Sequence, residues 1–126
     1  MSTAELASYL ESLGYRVHQL EDKKLVIVHP SLPLQLYIEF KEPLVYIGIR
    51  FDRDELADVL RDIHESGESI EEVVEEALSY LSVASLRARK WLEDKGYTPV
   101  FRLRDSSVEV YELLEDLREE LELEEE

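Results

Sequence analysis

The residue types that most often perform chemistry are few in this chain and lie far apart in the sequence. Cysteine is absent from the 126 residues, which excludes disulfides, thiolate zinc sites and cysteine catalysis. The three histidines, His18, His29 and His64, share no common spacing, and none belongs to an HExxH motif or another short metal motif. We therefore interpret each histidine as a surface or half-buried residue rather than as a metal ligand.

The remaining candidates for chemistry have simpler structural interpretations. The sequence 52–54, Asp-Arg-Asp, has the D-x-D form that can hold Mg²⁺, but Asp52 with Glu55 is already complete as a helix cap. No serine lies in a GxSxG motif. Three of the four glycines are placed to end helices and Gly48 lies within a strand, so no phosphate-binding loop remains. The sequence thus predicts no catalytic, cofactor-binding or metal site, and we lean towards a protein that is not an enzyme.

One basic cluster stands out in a chain whose net charge is −16. It consists of Arg87, Arg89 and Lys90, and Arg102 and Arg104 could extend it. Cations near the end of a helix compensate the helix dipole and form surface ion pairs, which is one interpretation. The alternative is a docking site for an acidic segment, in the same chain or in a dimer partner. The overall charge argues against direct binding to nucleic acid or to an anionic membrane.

The composition also bears on the origin and location of the protein. Asparagine is absent, glutamine occurs only twice, and 35% of the residues are charged. This composition resembles that of hyperthermophile proteins, with a halophile as the second choice. No apolar run approaches the roughly 18 residues of a membrane span, and the first residues lack the basic start of a secretory signal. We therefore expect a cytoplasmic protein.

The longest element that the sequence predicts is a helix between Ser69 and Gly96. Ser69 and Glu72 form a capping box at its start, and Gly96 is placed where a left-handed residue ends a helix. Acidic residues fill its first turns and basic residues its later ones, which suits the helix dipole. The apolar stripe at helical spacing comprises Ile70, Val73, Val74, Ala77, Leu78, Leu81, Ala84, Ala88, Trp91 and Leu92.

Apolar side chains also lie on the other side of this predicted helix. Val83 and Leu86 point away from the main stripe, and Tyr80 lies at its margin. Either the chain's own C-terminal segment covers them, or a second subunit or a client does. Tyr80, Val83 and Leu86 are our candidate interface, and we expect a homodimer.

The residues before the long helix predict a shorter helix, four strands and a second helix. A capping box at Ser2 and a glycine at Gly14 frame the first helix. Alternating apolar residues then predict strands at 15–20, 25–28, 34–40 and 45–51. Short turns between these strands favour an antiparallel meander. Asp52 caps the next helix, which Gly67 ends at a tight joint with the long helix.

Two structures are compatible with the segment after the long helix. Residues 97–104 predict a strand in which Pro99 marks an edge position. Ser106 with Glu109 can then cap a helix from about residue 107, which we favour. The alternative is a hairpin that extends through Val108.

The predicted C-terminal helix carries its own apolar stripe, formed by Val110, Leu113, Leu114, Leu117 and Leu121. If it packs beside the long helix, Leu113, Leu117 and Leu121 could cover Val83 and Leu86. The acidic end of the chain, at about 119–126, is expected to be frayed by self-repulsion.

Together these elements predict one α+β domain over residues 1–126: an antiparallel four- to five-stranded sheet packed on one face by helices, with one long central helix. The order of elements resembles that of the type III secretion chaperone-like domains. The resemblance is carried by the helix from Leu6 to Gly14 with Tyr15 after it, by the strands up to Phe51, and by the helix from Ser69. It implies a small acidic dimer that holds client proteins in extended form.

The sequence therefore favours a non-enzymatic protein-interaction module, chaperone- or adaptor-like, that acts as a dimer and needs no cofactor. We expect its partner to be a protein. The negative charge of the chain permits this partner to be basic. Two alternatives stay open. One is an acidic regulator that competes with nucleic acid for a basic partner, and the other is a small enzyme without a recognisable site.

Overall fold

A computed structural model describes residues 2–121 of the chain, apart from the side chain of Ser2. The helices are α1 (Ser2–Ser12), α2 (Arg53–Glu65), α3 (Ile70–Asp94) and α4 (Leu103–Glu120). The strands are β1 (Arg16–Glu21), β2 (Lys24–Val28), β3 (Leu34–Lys41), β4 (Leu44–Phe51) and β5 (Thr98–Phe101). The α+β fold is confirmed. The side-chain cap predicted at Ser2 lies outside the described residues, as do residues 122–126 of the acidic end predicted to fray, whereas Glu119 and Glu120 of that end belong to α4.

The five strands form one sheet in the order β1-β2-β3-β4-β5. The first four pair antiparallel with their neighbours in sequence, because short turns join them. The predicted meander is therefore confirmed. The fifth strand instead pairs parallel to β4, since α2 and α3 carry the chain back across the sheet before β5 begins. Pro99 lies in this edge strand, as predicted.

The two faces of the sheet differ sharply in their side chains. The inner face is apolar and fully buried beneath the helices; it includes Leu25, Ile27, Leu34, Leu36, Ile38, Val45 and Ile47. Burying one such side chain contributes about 1.5–3 kcal/mol, so this layer dominates the stability of the fold. The outer face carries mostly polar and aromatic side chains, as the period of two requires.

Helix ends follow the sequence signals closely. The Asp52 carboxylate accepts a hydrogen bond of 2.9 Å from the amide of Glu55 and so caps α2. Gly67 has a φ of 93°, the left-handed conformation that ends α2 before the tight joint to α3. Leu13, which follows the last residue of α1, is 39% exposed, because the helix ends at Ser12.

The start of α4 corrects the prediction for residues 97–111. The strand ends at Phe101, and the helix begins at Leu103, four residues before the expected start. Ser106 is not an N-cap. Its hydroxyl accepts a hydrogen bond from the Ile49 amide at 3.1 Å and donates one to the Arg102 carbonyl at 2.9 Å. The backbone of β4 at Ile49 is therefore hydrogen-bonded to the side chain of Ser106 rather than to the backbone of a neighbouring strand. The alternative hairpin through Val108 is wrong, since Val108 is helical.

The C-terminal helix is part of the core. Val110, Leu113, Leu114 and Leu117 are buried, and Leu121 packs against the same core. Ion pairs hold the helix surface to α2 and α3: Arg53 with Asp116, Arg61 with Glu120, and Arg118 with Glu71. Within residues 2–121, no helix combines the length and the apolar character that crossing a membrane requires.

Candidate interaction surface

One side of the long helix α3 is buried against the rest of the fold, and the opposite side is exposed. Its N-cap, Ser69, accepts a hydrogen bond of 3.3 Å from the amide of Glu72, and Gly96 follows its end with a φ of 90°, both as predicted. The buried side consists of Ile70, Val74, Ala77, Leu78, Leu81, Ala84, Ser85, Ala88 and Leu92. Because this stripe faces the sheet and α4, the opposite side of α3 is left to solvent.

The free side of α3 repeats with the spacing of a coiled-coil seam. We call it the α3 seam: Glu72, Glu76, Ser79, Val83, Leu86 and Lys90, all of which are exposed. Their alternating steps of four and three residues place them in one row along the helix. The row is acidic at its start, apolar in the middle and basic at its end. Leu86 is 56% exposed and Val83 47%, so the apolar middle lacks a covering element among the described residues.

Helix α4 widens this apolar middle. It runs antiparallel to α3, since Arg118 pairs with Glu71 at one end while Ser107 lies beside Ser82 and Val83 at the other. Val108 and Tyr111, on its exposed side, are 52% and 44% exposed. A shallow groove of ≈ 600 Å³ between the helices is lined by Val83 and Tyr111 among others. The exposed apolar patch therefore spans two adjacent helices.

As far as Leu121, the C-terminal segment leaves Val83 and Leu86 of the candidate interface exposed. Leu113 and Leu117 point into the core rather than over Val83 and Leu86. The expectation that the chain's own last segment covers these two side chains is therefore wrong for Leu113 and Leu117. The reason is that α4 aligns its apolar stripe with the space between α2, α3 and β4, which leaves the far side of α3 open.

Tyr80 behaves differently from the other two candidate interface residues. Its ring packs edge-to-face on Tyr15, with centroids 5.6 Å apart, and on His29 at 5.1 Å. It is half-buried, and this burial raises the pKa of its hydroxyl. Tyr80 thus borders the α3 seam, with one edge held by the fold.

The structure does not gather the predicted basic cluster into one site. Arg87 lies over the ring of Tyr15, whereas Arg89 lies near Phe101 and pairs with Glu93 at 3.2 Å. Tyr15 precedes β1 and Phe101 ends β5, and these strands are opposite edges of the sheet. Lys90 remains on the α3 seam between them. The two arginines therefore serve different neighbours.

Arg102 lies apart from the other residues of the predicted basic cluster. Its guanidinium lies 5.3 Å from the centre of the Tyr46 ring, on the outer face of the sheet. Arg104 is exposed in the first turn of α4. Arg102 is close to the end of α3 in the sequence but not in the fold, because β5 carries the chain around the edge of the sheet.

The outer face of the sheet holds a second groove, which the sequence did not predict. It has a volume of ≈ 710 Å³, and Tyr37, Tyr46, Gly48, Arg50, Arg102 and Ser106 are among the residues that line it. The alternation of β3 and β4 already placed Tyr37, Tyr46 and Arg50 on one face. Arg102 and Ser106 could not be added without knowing that β5 pairs parallel to β4.

Neither the described side chains nor the comparisons assign a chemistry to this chain. Among residues 2–121, no group of three or more histidine, aspartate or glutamate side chains is placed to hold a metal ion. Asp52 acts as a cap, and the three histidines are spread over β1 (His18), the loop after β2 (His29) and α2 (His64). The chain matched no protein-family model, and no curated protein or solved structure gave a significant match.

Proposed function

We propose that the protein is a non-enzymatic protein-interaction module, chaperone- or adaptor-like, that acts as a homodimer through the α3 seam. The observation that carries this proposal is the exposure of Val83 and Leu86, at 47% and 56%, beside the exposed Val108 and Tyr111. Isolated exposed apolar residues are ordinary, but a group on two packed helices is typical of a contact surface. The order of helix, meander and long helix, which resembles secretion chaperone-like domains, supports the same class of function.

The charges along the α3 seam favour a second copy of this chain as the occupant. Glu72 and Glu76 precede the apolar middle, and Lys90 follows it. Two such helices that pack side by side in parallel would set like charges together. Packed antiparallel about a two-fold axis, Glu76 of each copy faces Lys90 of the other. The seam is therefore complementary to itself, as an isologous interface must be.

The sequence positions define where this axis would lie. An axis at Val83 brings Val83 against its own copy and Glu76 against Lys90, because both lie seven residues from it. The same axis sets Tyr80 opposite Leu86, three residues to either side. An apolar centre with charged pairs at its rim is the usual anatomy of a protein interface. The rim pairs set orientation, while apolar burial supplies most of the affinity.

Light scattering over a concentration series tests the proposal directly. We expect a mass twice that of the chain, and Leu86→Glu should shift the protein towards monomer, because it buries a charge at the apolar centre. Leu20→Glu is the matched control, since Leu20 is also exposed, at 43%, but lies on β1. A wild-type monomer at every concentration, or an equal effect of the two variants, would contradict the homodimer.

A further inference from the structure

The outer face of the sheet concentrates positive charge in a strongly acidic chain. Glutamate and aspartate outnumber lysine and arginine by 30 to 14 overall. Yet the second groove is lined by the cations Lys41, Arg50 and Arg102 and by the acids Glu39 and Glu109. Lys24, beside the groove, pairs with Glu39 at 3.9 Å. Cations therefore outnumber acids on this surface, whereas acids outnumber cations in the whole chain. A surface of this kind complements an anionic ligand.

Two tyrosine rings lie among these cations. Tyr37 on β3 is paired in register with Gly48 on β4, so Tyr46, two residues earlier, is its diagonal neighbour on the same face. Both rings are half-buried. Lys41 lies 5.8 Å from the centre of the Tyr46 ring and Arg102 lies 5.3 Å from it. Because Lys41 and Arg102 are themselves exposed, they can leave the ring for a phosphate at low cost, since exposed cation–ring contacts contribute only about 0.5–1 kcal/mol.

The floor and the sides of the groove add two further features. Gly48 lines the groove between Tyr46 and Arg50, and its missing side chain leaves room for Ser106 and Arg102, whose hydroxyl oxygen and Cβ would lie 3.4 and 3.7 Å from a Cβ at this position. Glu109 and Glu39 line the groove as hydrogen-bond acceptors. The Tyr37 hydroxyl donates to Glu39 at 3.3 Å. Burial, and then the charge of Glu39, raises the pKa of Tyr37, so this hydroxyl stays a donor at neutral pH.

We propose that this groove binds a mononucleotide, a ligand that combines a flat ring, hydroxyl groups and a phosphate. The ring stacks on Tyr46 or Tyr37, the phosphate contacts Arg50 and Arg102, and the carboxylates accept from the hydroxyl or amino groups. An acidic peptide would use only the cations. A long nucleic-acid strand would use the rings as well, but the net charge of −16 opposes a polyanion. The groove lies on the far side of the sheet from α3, so this site is independent of the proposed dimer.

Titration calorimetry with AMP tests the site, with adenosine and inorganic phosphate as probes of its two halves. AMP should bind at least about tenfold more tightly than either half, because ring and phosphate are engaged together. Arg50→Gln and Arg102→Gln should each weaken AMP binding by about tenfold, the usual loss of a charge-assisted hydrogen bond. Arg16→Gln, on exposed β1, is the matched control and should leave binding unchanged. Tyr46→Leu should weaken AMP but not phosphate.

Three results would overturn the proposal. Phosphate that binds as tightly as AMP means that no ring is recognised. A short single-stranded oligonucleotide, or a peptide of sequence Glu-Leu-Glu-Glu-Glu, that binds more tightly than AMP means that the groove takes a polymer. The absence of any saturable heat at millimolar AMP means that the groove is not a nucleotide site. Amide shifts by NMR at Gly48 and Ile49 on addition of AMP would place the ligand in the groove.

Discussion

The hydroxyl of Ser106 accepts a hydrogen bond from the backbone amide of Ile49 across a sequence separation of 57 residues. The last backbone bond of the β4–β5 pair, from the Arg102 amide to the Ile47 carbonyl at 2.7 Å, lies just before it. Ser106 therefore adds one further rung to the ladder from within a helix. It joins the first turn of α4 to β4, beyond the residues of β4 that pair with β5.

Ser106→Ala should lower the free energy of unfolding by about 1–2 kcal/mol, because it leaves the Ile49 amide without its partner. Ser107→Ala is the matched control: Ser107 lies next in the same turn, and we expect a change below about 0.5 kcal/mol for a surface site. Urea denaturation measures both variants. Equal effects of the two would mean that the rung contributes nothing to stability.

The two sides of α3 should respond differently to truncation of a side chain. Leu81 is fully buried in the middle of the helix, so Leu81→Ala should cost about 2–5 kcal/mol in chemical denaturation. Val83→Ala, on the exposed side of the same turn, removes little packing within one chain, and its effect at concentrations where the protein is monomeric should stay below about 1 kcal/mol. A loss below about 1 kcal/mol for Leu81→Ala would be incompatible with the packing of α3 described above.

An exchange of charges tests the antiparallel orientation of the proposed dimer. Glu76→Lys and Lys90→Glu should each weaken self-association, because each variant sets like charges opposite one another. Mixing the two variants should restore a heterodimer, since both facing pairs then carry opposite charges. The double variant E76K/K90E should dimerise as the wild type does. Sedimentation at low salt measures all four species.

Two charged residues in the turns of the sheet provide the control for this exchange of charges. Glu42→Lys and Lys23→Glu exchange charges in exposed turns of the sheet, far from the α3 seam, and should leave association unchanged alone or mixed. If the Glu76 and Lys90 variants associate no better in the mixture than alone, the helices do not pack antiparallel about Val83.

His29 gives the stability of the protein a dependence on pH. Its Nδ1 accepts hydrogen bonds from the amides of Ser31 and Leu32 at 3.1 and 2.9 Å, which requires a neutral ring nitrogen. Burial beside Tyr80 lowers the pKa of His29 from 6.5, and the nearby Glu76 carboxylate opposes this only in part. The unfolded chain therefore binds this proton at a higher pH than the native chain does.

The direction of the pH dependence of stability follows from this difference in His29 pKa between the native and the unfolded chain. Stability should be fully present above about pH 6.5 and should fall as the pH drops from there through the lowered pKa of the native His29. His29→Asn keeps an acceptor for the two amides but does not titrate, so it should flatten the dependence in this range. NMR titration of the His29 ring is the direct measurement. A native pKa above 6.5 would contradict the prediction.

Local signals in the sequence predicted most of the fold. Helix ends depend on residues within one turn, such as Asp52 with Glu55 and the left-handed Gly67, so each could be assigned without tertiary information. The alternation from Leu34 to Phe51 likewise specifies which side chains are buried. The long helix and its buried stripe could be predicted for the same reason, since the pattern repeats over seven turns.

Features that depend on contacts distant in sequence could not be predicted. The pairing of β5 with β4 depends on how α2 and α3 return the chain, and no residue of β5 encodes that direction. Ser106 resembled an N-cap by its spacing to Glu109, but its hydroxyl bonds to β4 instead. The exposure of Val83 and Leu86 could be predicted from their angle on α3, whereas the openness of that face depended on where α4 packs.

The parallel pairing of β5 with β4 has a consequence for the nascent chain. The four strands of the meander pair with neighbours close in sequence, so they can assemble as soon as residue 51 is available. β4 then remains an open edge until β5 arrives, since Leu44 pairs with Thr98. Through the synthesis of both intervening helices, the strand that later lies inside the sheet can template pairing with other chains. Residues 98–101, which are made after both of these helices, therefore protect β4 from pairing with other chains.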